Sequence, residues 1–219
     1  ISLGKVTFTN SNNAAIVTEY DVDYLIPAEQ KIGVSVSYST GTGAKPLTVD
    51  IPKALKLGKK LYGATYKFLF MNVDTFEKFA SQEEVYKKCA SFVQNVVGSQ
   101  DAPDLATVNA YLAKKKELYR GLQIIVIDQD ITLELADGSR ITENPFEDDV
   151  MLFSESKVLG NTYWKKPIDA KAMPGSVAEK VMHGHTLVKK YSNESPVQEV
   201  TEGIANLFPA WKLAGRSLL

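Results

Sequence analysis

The stretch from Tyr66 to Phe92 restricts the choice of fold more than any other part of the chain. Tyr66–Met71 is a continuous apolar run, too short for a helix and too apolar for an exposed strand, so it reads as a strand covered on both faces. Asn72 and Asp74 form a polar break directly behind it, and Asp74 with Glu77 has the spacing of a capping box. Ser81 and Glu84 repeat that spacing before a second helical run. There Val85, Cys89, Phe92, Val93 and Val96 lie on one helical stripe. A buried strand running straight into amphipathic helices needs a mixed helix-and-sheet core. The tail Ser154–Leu219 is different: short strands, and no helix long enough to hold a domain together. The fold class expected is therefore α+β, a mixed core domain with a β-rich peripheral lobe.

On the N-terminal side, Lys5–Tyr38 is rich in β-formers, and Ile32, Val34, Val36 and Tyr38 alternate with period two, which predicts strands. Asn10-Ser11-Asn12-Asn13 is a turn cluster, and Ser39–Gly43 a flexible loop ending at Lys45-Pro46. Asp50-Ile51-Pro52 predicts a helix start, with the carboxylate as cap and proline in the first turn. Ile51, Ala54, Leu55, Leu61 and Tyr62 line one side, Lys53, Lys56, Lys59 and Lys60 the others, and Gly63 is the stop. That lysine run reads first as a solvated face and second as a contact with a neighbouring subunit or with nucleic acid. Further on, a third helix is expected over Leu105–Arg120, stopped by Gly121. Strands follow at Leu122–Ile127, around the hairpin signal Ala136-Asp137-Gly138-Ser139, and at Val150–Phe153, Lys157–Trp164 and Val181–Tyr191. A terminal segment then carries Pro196, Gly203 and Pro209.

With 25 basic and 26 acidic residues the formal charge is −1, so no long-range field draws the chain to nucleic acid, and contact with DNA is expected to be local and non-specific. The single cysteine, Cys89, excludes an internal disulfide and a cysteine-built zinc site, and its place on an apolar stripe makes it core filler. No apolar run has the length a membrane helix needs. Because Ile1 stands where a methionine would, the chain is expected to be a fragment lacking an N-terminal part.

The search for chemistry yields weak candidates only. His183-Gly184-His185, on a strand, puts both imidazoles on one face; two ligands do not make a metal site, and Asp148 or Asp149 could complete it only through the fold. Glu147-Asp148-Asp149 offers carboxylates for acid–base work but reads as a solvated loop beside Asn144-Pro145. Gly41-Thr42-Gly43 lacks the third glycine of a dinucleotide loop, and no serine sits in a nucleophile elbow. Tyr163-Trp164 could stack on a ligand, though packing is the expected use. No catalytic, cofactor-binding or metal-binding residue is assigned, and no cofactor is expected.

The order of these elements resembles the major capsid protein of tailed phages, the Hong Kong 97-type fold, and within it the lambda-like branch. Four passages carry the resemblance: Lys45-Pro46 leading into Asp50-Ile51 and a helix; Tyr66 to Met71-Asn72 followed by a helix opening on Thr75-Phe76; Ile125–Thr142 as strand, hairpin and return; and Asp149–Phe153 through Val158-Leu159-Gly160 to Tyr163. The tail from Tyr191 to Pro196 and on to Leu207–Ala210 is similar to the segment that closes that fold. The likeness runs from about Lys45 onward. It implies a peripheral part over 1–49 lacking the family's arm and extended loop, an axial-type core over 50–150 and a β-rich closing segment over 151–219.

What the resemblance implies is a structural shell protein rather than an enzyme. It would assemble with itself as hexamers and pentamers around double-stranded DNA, in the cytoplasm of a bacterial host, and end in the virion capsid. Scaffolding, portal or decoration proteins are the further partners such a subunit meets; no membrane is involved. The lysine–asparagine crosslink of some relatives is assigned to no residue here. The isolated chain, without its arm, is expected to be monomeric or weakly associated. Two alternatives stand beside this reading: another virion protein such as a tail-tube subunit, and a small metal-dependent hydrolase using His183 and His185.

Overall fold

The apolar run after Tyr66 becomes the middle strand of a three-stranded sheet. In the computed structural model, which describes residues 5–8, 20–39, 43–93, 102–134, 139–167, 170, 177–194, 197–212 and 216–219, strand β3 (Phe68–Asn72) pairs in parallel with β4 (Gln123–Ile127) and antiparallel with β7 (Leu152–Ser154). Flanked on both edges and covered on both faces, β3 keeps Leu69, Phe70 and Met71 buried, as a strand without alternation should. Helices α1 (Ile51–Tyr62), α2 (Val73–Ala80), α3 (Glu83–Val93), α4 (Leu105–Lys114) and the single turn α5 (Lys116–Tyr119) supply the rest of one core. Gly58 lets α1 close on that core: a Cβ there would lie 2.1 Å from the Tyr66 ring. Two buried tyrosines bind backbone across the core, Tyr66 donating to the Arg216 carbonyl at 2.9 Å and Tyr119 to that of Leu47 at 3.0 Å. Burial raises both phenols well above the ordinary tyrosine range.

Compactness divides the chain into two units, where the sequence suggested three segments. The larger comprises 1–157 with 213–219, the smaller 158–212. The larger also contains the pair β1 (Lys5–Phe8) and β2 (Tyr20–Asp23) and the hairpin β5 (Ile131–Glu134) and β6 (Arg140–Glu143). Its last residues return to it: Phe153 and Leu218 exchange backbone bonds at 2.9 and 3.3 Å, and Ile32 donates to the Leu219 carbonyl at 2.8 Å. The smaller unit has no α-helix among its described residues. It consists of the two-stranded ribbon β8 (Gly160–Lys165) with β12 (Asn206–Trp211), and the meander β9 (Val177–His183), β10 (Thr186–Glu194), β11 (Val197–Ile204). Helix and sheet are thus mixed, as an α+β reading requires.

Several local expectations are corrected. Residues 32–38 form no strand. Apart from the Ile32 amide, the groups that are met take side chains: the Asp50 carboxylate accepts from the Ser35 amide at 3.0 Å and the Tyr38 hydroxyl at 2.9 Å, and Gln82 donates to the Tyr38 carbonyl at 2.8 Å. Asp50 therefore caps nothing. The helical path begins earlier, in a wide π-type turn over Pro46–Asp50, and Asp50 is already helical. Its free amides at Leu47 and Thr48 are capped from α3 by Glu84, at 2.9 and 3.2 Å. The expected pair Asp74/Glu77 yields likewise to Asn72, whose side chain accepts from Thr75 at 2.8 Å. The expected helix Leu105–Arg120 is broken at Lys115, and Arg120, not Gly121, takes the first left-handed position with φ 56°. Val181–Tyr191 is two strands rather than one, because Gly184 at φ 58° reverses the chain. The terminal segment is two strands as well, with Pro209 inside β12. The turn cluster 10–13, the hairpin tip 135–138 and Val96 lie outside the described residues.

Candidate functional site

The histidines sit where the chain reverses. His183 ends β9 and His185 belongs to the turn, so the shared strand face that two ligands would need does not exist. Both are exposed, and the His185 ring lies 5.1 Å from that of Trp164. Asp148 and Asp149 belong to the larger unit, and among the described residues no three His, Cys, Asp or Glu side chains are grouped to hold a metal ion.

The acidic run Glu147–Asp149 serves the opening of α2. Asn72 donates to the Phe146 carbonyl at 3.2 Å and to the Asp148 carboxylate. The Asp149 amide donates to the Thr75 hydroxyl at 2.9 Å, and Lys78 binds the Asp149 carboxylate at 2.7 Å. That hydrogen bond raises the Lys78 pKa. A hollow of about 440 Å³ opens nearby, apolar apart from Lys31, Lys53, Asp50 and Asp149. Both carboxylates are engaged within the chain, Asp50 by Ser35 and Tyr38 and Asp149 by Lys78. Cys89 is buried, and burial pushes its thiol up to about 11, so it packs and does not react. Of the glycine pair, Gly41 lies outside the described residues and Gly43 takes φ 88°.

What the molecule does present is surface. Tyr163 and Trp164 were expected to pack, yet they are 57% and 48% exposed, opposite Phe208 and Leu207 at 50% and 51%. A two-stranded ribbon has no second layer to cover such side chains, which explains the miss. Gly160 is needed for the ribbon to close, since a Cβ there would stand 2.0 Å from the Ala210 carbonyl oxygen. Leu207 and Phe208 stood out in the sequence only as part of the passage resembling a closing segment, not as exposed apolar residues; the signal was Pro209 just behind them, which marks an open edge. On the larger unit, Lys53, Lys56, Lys59 and Lys60 all stand exposed on α1, and Lys53, Lys56 and Lys60 border an open groove of about 490 Å³ with Val49, Pro52 and Leu57.

No family model matches the chain, and no curated protein matches it. Among solved structures, the chain is similar to the crystal structure assigned as the capsid protein of a prophage of E. coli CFT073, with TM-score 0.58 and 13% identity over 98% of this chain. A phage-related protein of Bordetella bronchiseptica RB50 is also similar, with TM-score 0.48 and 14% identity over 88% of this chain and 55% of that one. The chain spans 58% of the length of the prophage protein. At such identities the likeness concerns the fold, which is phage-capsid-like. No described helix is long and apolar enough to cross a membrane.

Proposed function

We propose that this chain is a shell-forming subunit of a phage or prophage head, a major capsid protein of the Hong Kong 97-type, lambda-like kind. The observation that carries the reading is the fold likeness to the prophage capsid protein over 98% of the chain. It works as a structural tile and not as an enzyme. Copies of it associate as hexamers and pentamers, and many modest, repeated contacts add up to a closed particle. A formal charge of −1 suits dense packing of identical subunits, because little like-charge repulsion accumulates. Double-stranded DNA is enclosed without sequence-specific contact; scaffolding, portal or decoration proteins are further partners. Assembly takes place in the bacterial cytoplasm and the product is the virion capsid. A tail-tube subunit, mostly β, would lack the helices α1 to α4 around which the larger unit is built.

The test is electron microscopy of the chain expressed in bacteria, alone and with the products of neighbouring genes. Closed icosahedral particles are expected. Uniform tubes, or a protein that never associates in either setting, would overturn the proposal.

A further inference from the structure

Two surface features of the larger unit carry opposite charge and are unpaired among the described residues. The first is the groove along α1. Val49, Pro52 and Leu57 give it an apolar floor, and Lys53, Lys56 and Lys60 border it. None of these lysines has an ion-pair or hydrogen-bond partner among the described residues. Four-carbon lysine stems can lie along such a floor while their ammonium groups reach an incoming anion.

The second is the β5–β6 hairpin with its root. Asp128, Gln129 and Asp130 are exposed in the short connection from β4, and neither carboxylate is paired with a cation among the described residues. Directly after them come Ile131, 37% exposed, and on the paired strand Ile141, 40% exposed. Ile131 lies opposite Glu143, two residues from Ile141, so the two isoleucines share a face of the hairpin. The hairpin has two strands and no covering layer of its own, a construction of marginal stability in water.

Dimensions agree as well. The groove runs from Val49 to Lys60, roughly 16 Å at helical rise. An extended segment from Asp128 to Leu133 covers roughly 17 Å at strand rise. We propose that the lysine-bordered groove of α1 receives the acidic root and isoleucine face of the β5–β6 hairpin of a second copy of this chain. The carboxylates of Asp128 and Asp130 meet the ammonium groups of Lys53, Lys56 and Lys60, and Ile131 covers Val49 and Leu57. Groove and hairpin are different patches, so the contact is head-to-tail: each subunit gives a hairpin to one neighbour and takes one from another, the kind of contact that builds a ring when the rotation between neighbours closes. The inference names a contact of the shell proposed above and rests on that reading for its biological setting.

Thiol crosslinking tests it without requiring a shell. Lys56→Cys and Gln129→Cys are made in separate chains; Cys89 is buried and stays out of the reaction. A short bifunctional thiol reagent should join the mixed chains at these two sites, and join either chain to itself far less. Lys53→Glu with Lys60→Glu on the first chain, or Asp128→Lys with Asp130→Lys on the second, should each lower the yield by about tenfold. Combining the two reversed chains should restore it. A mixture that crosslinks no better than its components, or reversals that leave the yield unchanged, would overturn the pairing. So would loss of duplex DNA retention in the lysine reversals with crosslinking unaltered, which would make nucleic acid the occupant. Particles without the crosslink would leave the shell reading standing and remove this contact; the crosslink without particles would do the reverse.

Discussion

The larger unit is built on an extensive buried core, and the smaller one has little buried apolar surface among its described residues. Around β3, residues such as Leu47, Ile51, Leu69, Phe79, Leu112 and Leu152 lose their contact with water, drawn from helices and strands far apart in sequence. Among the described residues of 158–212, Leu187 and Trp211 are the buried hydrophobic side chains, while Val158, Tyr163, Trp164, Val181, Leu207 and Phe208 remain in solvent. The smaller unit relies on backbone ladders, eight residue pairs between β10 and β11, supplemented by the cross-strand ion pairs Lys189–Glu202 at 3.2 Å and Lys190–Glu199 at 3.1 Å. The second of these is exposed at both ends, and such pairs contribute little in water. Two ways of being stable therefore share one chain. One is set by burial, and the other leaves apolar surface in solvent.

The largest break in that contrast should come from Phe79→Ala. The ring is fully buried, 6.2 Å from that of Tyr38 and 6.3 Å from that of Phe76, and truncation should cost about 3–5 kcal/mol. Denaturant unfolding followed by amide exchange should show the larger unit losing protection before β9–β11. If both lose it together, they form one cooperative body and the contrast fails. Next comes Glu84→Ala, which strands the Leu47 and Thr48 amides; a loss of about 2–3 kcal/mol is expected in the same titration. Glu84→Gln, which keeps an acceptor, should recover part of it.

Gly160→Ala attacks the other side of the comparison. Overpacking against Ala210 should cost about 1–3 kcal/mol, read as lost amide protection in β8 and β12 with the core unchanged. Smaller again is a pH effect at the start of α4. The Asp104 side chain accepts from the Thr107 amide at 2.9 Å, and its hydrogen bonding to Thr107 holds the carboxyl below its ordinary value. A lowered folded-state pKa stabilises above the unfolded value and fades as pH falls through the folded one. The difference in melting temperature between the wild type and Asp104→Ala should therefore shrink on acidification through the carboxylate range. At the low end, Phe208→Ser should change stability by no more than about 0.5 kcal/mol, since the ring is half in water already. A large loss there would mean that the ribbon carries a core after all.

The parts legible in the sequence were those decided by local periodicity. The run before Asn72 and the stripe through Val85 and Cys89 announced a covered strand and an inward helix face, and both residues of that stripe are buried. What escaped was decided by partners distant along the chain. Nothing near Glu84 says that it caps a turn 36 residues earlier, and nothing in the alternation of Ile32–Tyr38 says that a carboxylate from Asp50, not a neighbouring strand, answers its backbone. A two-residue reversal at Gly184 looks the same in composition as an uninterrupted strand. The histidines and the acidic run were readable as candidates, but their fate depended on the reversal at Gly184 and on the distant partners Asn72, Thr75 and Lys78. The lysine face of α1 was visible at once, whereas its groove needed Val49, from the preceding turn, to be wound against Lys53.

The return of residues 216–219 to β7 sets the timetable of synthesis. Leu218 and Leu219 supply backbone partners for Phe153, Ile32 and Gln30, and they leave the ribosome only after the whole of 158–212 has been made. A nascent chain therefore carries β7 without that pairing until its residues 216–219 emerge, so completion of the larger unit waits on synthesis of the smaller one.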